Sequence, residues 1–146
     1  MSDPIAIQTL KAHDIKATLP RILILKYVVG NETHPTAEDV FNKIHEEESS
    51  ISLATIYNTL ETFVKKGILQ KINSFCDKVH YDSNMDLHFH LICQKCKKVY
   101  DIKRYDSIKF QIKKELFKKY DIDKMQVCFQ GCCTDCKKLN SKKDQS

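Results

Sequence analysis

Four cysteines stand in two closely spaced pairs, and this spacing is typical of a zinc site. Cys93 and Cys96 form one pair, Cys133 and Cys136 form the other, and 36 residues separate the two pairs. Tetrahedral zinc takes four thiolates, and such a closed site stabilises a fold and leaves no position open for catalysis. We therefore predict structural Zn²⁺ here, over the alternative of four buried thiols without metal. Cys132 competes with Cys133, although only Cys133 preserves the two-residue gap.

A second group of possible ligands lies beside the first cysteine pair. His88 and His90 are two residues apart in a stretch with strand character, so their side chains point to one face. If Cys93 pairs with Cys96 across the turn of a hairpin, His88 falls opposite Asp101, with Cβ atoms about 5 Å apart. One hairpin would then carry a sulfur site at its tip and a nitrogen and oxygen site along one face.

Two further donors, His34 and Asp82, extend this group to three imidazoles and two carboxylates. Such a set suits Fe, Mn, Zn or Ni better than Mg or Ca. A single histidine is usually structural, so the prediction depends on the whole group. His13 and His45 are expected at the surface, and the sequence leaves the role of His80 undecided.

Composition excludes several classes of protein. The 146 residues are 42% hydrophobic, which is enough for one domain or two small ones. The chain contains no apolar run of 18 residues and does not begin with a basic segment followed by an apolar one, so we expect a cytoplasmic protein without a membrane partner. In a reducing compartment the seven cysteines favour metal ligation over disulfides. Cys76 and Cys128 are most simply free thiols.

The net charge of +5 is unevenly distributed. Residues 1–82 hold 9 Lys and Arg against 11 Asp and Glu, whereas residues 83–146 hold 15 against 8. A basic surplus ordinarily indicates nucleic-acid binding. Here it lies outside the half that most resembles a DNA-binding domain, so binding there would depend on local clusters of lysine and arginine.

Hydrophobic periodicity and capping residues predict helices in residues 3–14, 18–30, 36–48 and 52–67. Thr36 and Asp39 form a possible capping box, and Ser52 can cap the fourth helix. The third and fourth helices fit a helix-turn-helix, with an ordinary helical hairpin as the alternative. Strands at 68–73 and 78–82 would form a wing, and this favours a winged helix.

The second half is predicted to contain strands and one long helix. A stretch without periodicity, 83–86, is a natural hinge. The metal hairpin follows, then a helix over 105–120, a strand in which Met125, Val127 and Phe129 alternate, and a solvated polar tail.

With these features together, the chain resembles the ferric uptake regulator family over residues from about 10 to 136. The resemblance is carried by the hairpin and by three motifs: Thr18-Leu19-Pro20-Arg21, His34-Pro35-Thr36-Ala37 and Ala54-Thr55-Ile56-Tyr57-Asn58-Thr59-Leu60. It implies an α+β protein with a winged-helix DNA-binding domain (1–82), a hinge (83–86) and a small α/β dimerisation and metal-binding domain (87–146). Such proteins are homodimers that repress transcription from palindromic operators in double-stranded DNA when a metal between the domains is bound; they are not enzymes.

The resemblance also implies roles for particular residues. The regulatory Fe²⁺ or Mn²⁺ would be bound by His34, Asp82, His88, His90 and Asp101. The structural zinc would be bound by Cys93, Cys96, Cys133 and Cys136. DNA would be contacted by Arg21, Thr55, Tyr57, Asn58, Thr59 and Lys65.

Two departures from the pattern of metal-uptake members point to the peroxide-response branch. The stretch Leu87-His88-Phe89-His90 stands where iron and zinc regulators often show His-His-Asp-His, and aspartates stand at 82 and 101 where iron-uptake members usually carry Glu. The branch implies that hydrogen peroxide acts through iron-catalysed oxidation of His34 and His88, releasing DNA. The alternatives are an iron- or zinc-uptake regulator, a mononuclear non-haem metalloenzyme, and a zinc-stabilised interaction module.

Overall fold

The structure is a computed structural model that describes residues 1–73, 78–86, 88–102 and 114–141. It is an α+β protein, as predicted, and it divides into two compact units, Met1–Met85 and Asp86–Ser146. Among the described residues, no helix combines the length and the apolar character that a membrane span requires.

The first unit contains the four predicted helices: α1 (Asp3–Ala12), α2 (Leu19–Val28), α3 (Ala37–Glu47) and α4 (Leu53–Lys65). Each contributes one apolar stripe to a common core. The fully buried members of that core include Leu10, Ile24, Leu25, Val40, Ile56, Leu60 and Phe63. Burial of these stripes drives the packing of the helices against one another.

The helix boundaries follow from local hydrogen bonds. Thr36 and Asp39 form a complete capping box: the Asp39 N–H donates to Thr36 Oγ1 at 3.2 Å, and the Thr36 N–H donates to Asp39 Oδ2 at 2.9 Å. The Ser52 hydroxyl likewise caps α4 by accepting from the Thr55 N–H. Thr18 occupies the N-cap position of α2, although its side chain makes no capping hydrogen bond. Gly67, with φ +73°, turns the chain out of α4.

The wing is an antiparallel hairpin of β1 (Gln70–Asn73) and β2 (Val79–Asp82), with Ile72 opposite His80. Strand β2 also runs beside the segment that precedes α3. Thr36 and His80 form an isolated β-bridge, and the Tyr81 N–H donates to the Pro35 carbonyl at 3.0 Å. The wing is therefore joined to the start of α3 through the backbone, and the first unit has the winged-helix fold that the sequence predicts.

The second unit is built on a three-stranded sheet in the order β4-β3-β5. The strands are β3 (Phe89–Cys93), β4 (Val99–Ile102) and β5 (Val127–Gly131); β3 pairs antiparallel with β4 and parallel with β5. The buried side chains of this unit include Phe89, Ile92 and Val99. Of the predicted helix over 105–120, residues 105–113 lie outside the described residues, and α5 (Lys114–Lys119) forms its described end.

The predicted solvated polar tail begins as a helix, which the sequence did not predict. The chain after Cys133 forms a helix, α6 (Thr134–Ser141), although most of its described side chains are exposed. The sequence shows little apolar periodicity there, because this helix packs few apolar side chains. Its first turn instead carries Cys136, one of the predicted zinc ligands.

Candidate metal centres and nucleic-acid interface

The four predicted zinc ligands come together in the second unit. Their sulfur atoms all lie within 4.8 Å of one another, and the Sγ atoms of Cys96 and Cys133 are 3.8 Å apart. Two thiolates bound to one tetrahedral zinc, with Zn–S bonds of about 2.3 Å, would be about 3.8 Å apart. Both the chemistry of the donors and their spacing therefore fit zinc. Cys132 is not part of this group.

Hydrogen bonds to the sulfur atoms make part of this group acidic. The Cys133 N–H donates to Cys93 Sγ at 3.4 Å, which lowers the pKa of Cys93 to about 5. The hydroxyl of Tyr100 lowers the pKa of Cys133. A hydrogen bond of the Cys136 thiol to the Cys133 sulfur raises the pKa of Cys136 to about 12, and burial and the charge of the neighbouring sulfur add to this penalty on the thiolate. A divalent cation would remove that penalty.

The turn that begins at Cys93 is longer than predicted, since it extends beyond Cys96 to Lys98. The Cys93 N–H donates to the Lys98 carbonyl, the Lys97 N–H donates to the Cys93 carbonyl, and Lys97 has the left-handed φ of +63°. As a result Asp101 lies opposite His90, and the predicted register with His88 opposite Asp101 is wrong. The prediction pairs Cys93 with Cys96 across the turn, whereas the turn continues to Lys98.

Despite the shifted register, Asp101 lies close to both histidines. Its Oδ1 is 3.1 Å from His88 Nε2 and 3.5 Å from His90 Nε2. His88 Nδ1 faces the Asp86 carbonyl at 2.7 Å, and a carbonyl only accepts, so Nδ1 carries the hydrogen. In neutral His88 the Nε2 lone pair therefore points towards a carboxylate oxygen. A cation or a proton relieves the repulsion between them, and this fits a metal site.

The first unit contains the other two predicted regulatory ligands. His34 Nε2 lies 3.8 Å from Asp82 Oδ1, and the two side chains are only 1% and 5% exposed. The Asp82 carboxylate is held in place by the side chain of Gln70 and the N–H of Asn84, at 3.1 and 2.8 Å. A buried imidazole and carboxylate with this orientation are suitable donors for a transition metal.

The backbone at His34 is unusual. This residue has φ +49°, in the left-handed region, and it precedes Pro35. Such a conformation costs a non-glycine residue about 1–3 kcal/mol, and a following proline disfavours helical conformations further. His80, which is buried, faces the His34 carbonyl with its Nδ1 at 2.7 Å.

The polar face of α4 borders a surface pocket of about 400 Å³. It is lined by Lys16, Thr18, Pro20, Arg21, Thr55, Asn58, Thr59 and Thr62. Four predicted DNA contacts, Arg21, Thr55, Asn58 and Thr59, therefore meet on one surface. Thr59 is only 5% exposed, since it also faces the core, so it offers little surface to a ligand.

The remaining predicted DNA contacts lie outside this pocket. The Tyr57 hydroxyl donates to Glu38 Oε1 at 2.7 Å and thereby lowers the pKa of that carboxyl group. Lys65 is exposed near the end of α4. Two other lysines of the first unit that could add positive charge are in ion pairs, Lys66 with Asp14 at 3.2 Å and Lys71 with Glu61 at 2.6 Å.

Three contributors to these sites were not predicted: Tyr100, Glu38 and His80. Tyr100 lies 3.9 Å from Cys96 Sγ through its hydroxyl, and its place four residues after that cysteine gave no signal. The partnership of Glu38 with Tyr57 spans 19 positions and depends on the packing of α3 against α4. The contact of His80 with the His34 carbonyl spans 46 positions. The sequence does carry a signal for His80, because it stands two residues before Asp82 and therefore on the same face of β2.

The chain is similar to known proteins over most of its length. The family model described as "Ferric uptake regulator family" matches residues 12–140. The chain is 28% identical over 131 residues to the peroxide-responsive repressor PerR of Staphylococcus aureus, covering 90% of this chain and 88% of the repressor.

Solved structures are similar over most of their length. The Campylobacter jejuni peroxide stress regulator is 33% identical with a TM-score of 0.66, covering 89% of this chain and 98% of that one. The Vibrio cholerae ferric uptake regulator is 29% identical with a TM-score of 0.71, covering 87% and 98%.

Proposed function

We propose that this chain, which belongs to the ferric uptake regulator family, is a homodimeric repressor that senses hydrogen peroxide. Members of this family are metal-responsive transcription regulators that bind DNA and act as dimers, and the protein is accordingly a regulator and not an enzyme. We propose the peroxide signal, the identities of the metals and the palindromic operator for this chain. Binding to double-stranded DNA further implies that the protein acts in the cytoplasm.

The position of Asp101 Oδ1 supports this function most directly, because the atom lies 3.1 Å from His88 Nε2 and 3.5 Å from His90 Nε2. The first unit contributes a second imidazole and carboxylate group, His34 with Asp82. We propose that these five residues bind one regulatory Fe²⁺ or Mn²⁺ ion. The aspartates at both carboxylate positions favour the peroxide-response branch, and the C. jejuni and S. aureus relatives are named for that response.

A separate zinc ion is proposed for the cysteine group. All four of its ligands belong to the second unit, so the metal would stabilise that unit and support dimerisation. It has no open coordination position and therefore takes no part in sensing. The two metals thus have different roles.

DNA recognition is assigned to the winged helix. Asn58 and Thr55 on α4 have the size and hydrogen-bonding groups that base edges require, and Arg21 supplies a phosphate contact. Tyr57 and Lys65 extend the contact along α4. A two-fold dimer places two such helices on successive half-sites about 34 Å apart, which requires a palindromic operator.

In the proposed response, His34 and His88 are oxidised. Fe²⁺ held by the proposed ligands would activate the peroxide for this oxidation. One peroxide oxygen is inserted into a carbon–hydrogen bond of the imidazole, the other leaves as water, and the ring loses two electrons. The oxidised ring is a weaker ligand, so metal affinity falls and DNA is released.

The test is DNA binding before and after peroxide. A duplex selected from a randomised pool by the Mn²⁺-loaded protein serves as the probe in fluorescence anisotropy. We expect both the Fe²⁺ and Mn²⁺ forms to bind, and peroxide to release only the Fe²⁺ form. Release by chelators but not by peroxide would instead support a metal-uptake regulator, an alternative to which the 29% identity with the V. cholerae ferric uptake regulator points.

A further inference from the structure

We infer that His80 is a positioning residue for His34, and that it fixes the backbone of this ligand through a hydrogen bond to the His34 carbonyl. The inference deepens the proposed function, because it rests on His34 being a regulatory metal ligand. His80 Nδ1 lies 2.7 Å from the His34 carbonyl oxygen in a buried environment. A carbonyl only accepts, so Nδ1 is the donor.

The backbone of His34 requires such support. Its φ of +49° is uncommon for a residue with a side chain, and Pro35 restricts it further. Without a fixed carbonyl, the segment has more favourable conformations available, and each would point the imidazole in another direction. The hydrogen bond from His80 selects the observed one.

Strand β2 contacts both the main chain and the side chain of His34. Residues 80 and 82 lie on the same face of this strand, because side chains alternate. His80 contacts the main chain of His34, whereas the Asp82 carboxylate lies 3.8 Å from its Nε2. The Tyr81 N–H, between them, donates to the Pro35 carbonyl. One short strand therefore sets the position and the orientation of His34 relative to Asp82.

A purely structural role explains His80 less well. Its side chain is buried, and its Nε2 has no hydrogen-bond partner among the described residues. Burying this polar atom is unfavourable, and an apolar side chain would fill the same space without that cost. The contact that the imidazole adds over an apolar side chain is the bond to the His34 carbonyl.

Mn²⁺ affinity of the zinc-loaded, full-length protein tests the inference, since Mn²⁺ binding involves no oxidation. His80→Ala removes the donor, and we expect affinity to fall about 10- to 100-fold, the range found when supporting hydrogen bonds of metal ligands are lost. His80→Asn places its amide N–H close to the position of Nδ1 and should retain wild-type affinity. His80→Gln, one methylene longer, should not.

His13 provides a matched control, because its Nδ1 also lies 2.9 Å from a backbone carbonyl, that of Thr9, far from Asp82 in sequence. His13→Ala should leave Mn²⁺ affinity unchanged. Zinc content and thermal midpoint report whether each variant is folded. If His80→Ala does not fold, the comparison of the Asn and Gln variants still decides.

The outcomes separate this inference from the proposed function. If His34→Ala lowers Mn²⁺ affinity, the ligand assignment stands, and the inference is then wrong if His80→Ala leaves the affinity unchanged or if the Asn and Gln variants behave alike. If His34→Ala binds Mn²⁺ as tightly as wild type, the ligand assignment itself is wrong. Loss in the Ala and Gln variants with retention in the Asn variant supports the inference.

Discussion

The Sγ atom of Cys96 lies 3.8 Å from the Sγ atom of Cys133, across 37 positions of sequence. This contact joins the turn after β3 to the segment between β5 and α6. Zinc at this point would connect two parts of the second unit that are distant in sequence. Because the site forms only in the folded chain, its binding free energy would add directly to the free energy of unfolding.

Replacing Cys96 by Ser should therefore remove the zinc and separate the dimer. We expect less than one zinc per chain by mass spectrometry under native conditions, and a monomeric or unfolded species by light scattering. Cys128→Ser is the control, since Cys128 lies on β5 in the sheet of the second unit but outside the group of four cysteines. A Cys96→Ser protein that keeps tightly bound zinc and its dimer would show that other donors hold the metal.

Zinc binding should release protons. Without metal, the Cys136 thiol has its pKa raised to about 12 by the neighbouring Cys133 sulfur and is protonated at pH 7, whereas Cys93, with its pKa lowered to about 5, is already a thiolate. Bound zinc requires Cys136 as a thiolate, so affinity rises with pH. Calorimetry at pH 7 in buffers of different ionisation enthalpy should detect at least one proton per zinc. Heats that do not depend on the buffer would contradict this assignment.

His34→Ala should weaken metal-dependent DNA binding while the dimer persists. The substitution removes a proposed ligand in the first unit, and the proposed zinc ligands all belong to the second. Mn²⁺ affinity should fall by at least about 100-fold, since loss of a supporting hydrogen bond alone costs 10- to 100-fold. Anisotropy gives DNA affinity and light scattering gives the dimer. His45→Ala, an exposed position on α3, is the control, and wild-type DNA affinity of His34→Ala with metal present would count against the proposed ligand set.

Local sequence signals predicted the first unit well. The capping box of Thr36 and Asp39 and the cap at Ser52 depend on residues three positions apart, so their geometry follows from helix formation itself. The cysteine pairs were equally predictable, because thiolates with this spacing have few other uses in a reducing compartment.

Features that depend on tertiary contacts could not be predicted in this way. The register of β3 and β4 shifts by two residues because Lys97 adopts a left-handed conformation and the turn closes at Lys98. Helix α6 has almost no apolar periodicity to reveal it. The bond from His80 to His34 joins residues 46 positions apart, and only the pairing of β2 with the start of α3 brings them together.

Two substitutions should separate base recognition from phosphate contact. Asn58→Ala, on the exposed face of α4, should weaken DNA binding by about 1–3 kcal/mol and relax specificity at one base position. Arg21→Ala should weaken binding to all sequences and reduce the slope of log affinity against log salt concentration by about 1. Lys43→Ala is the charge-matched control, because this exposed lysine pairs with Glu46 on α3. Anisotropy across a salt series measures both quantities. Equal salt slopes for Arg21→Ala and Lys43→Ala would exclude a phosphate contact by Arg21.

Peroxide should modify His34 and His88 only when the regulatory site holds iron. Mn²⁺ in the same site does not readily carry out the one-electron chemistry, so the Mn²⁺ form should remain unmodified and bound to DNA. Cysteine oxidation is the rival route, but burial raises the pKa of Cys128, which keeps this thiol protonated and slow to react. Peptide mass spectrometry after brief peroxide treatment compares the two forms. One added oxygen on His34 or His88 in the Fe²⁺ form alone supports the proposal, and modification confined to cysteines in both forms would refute it.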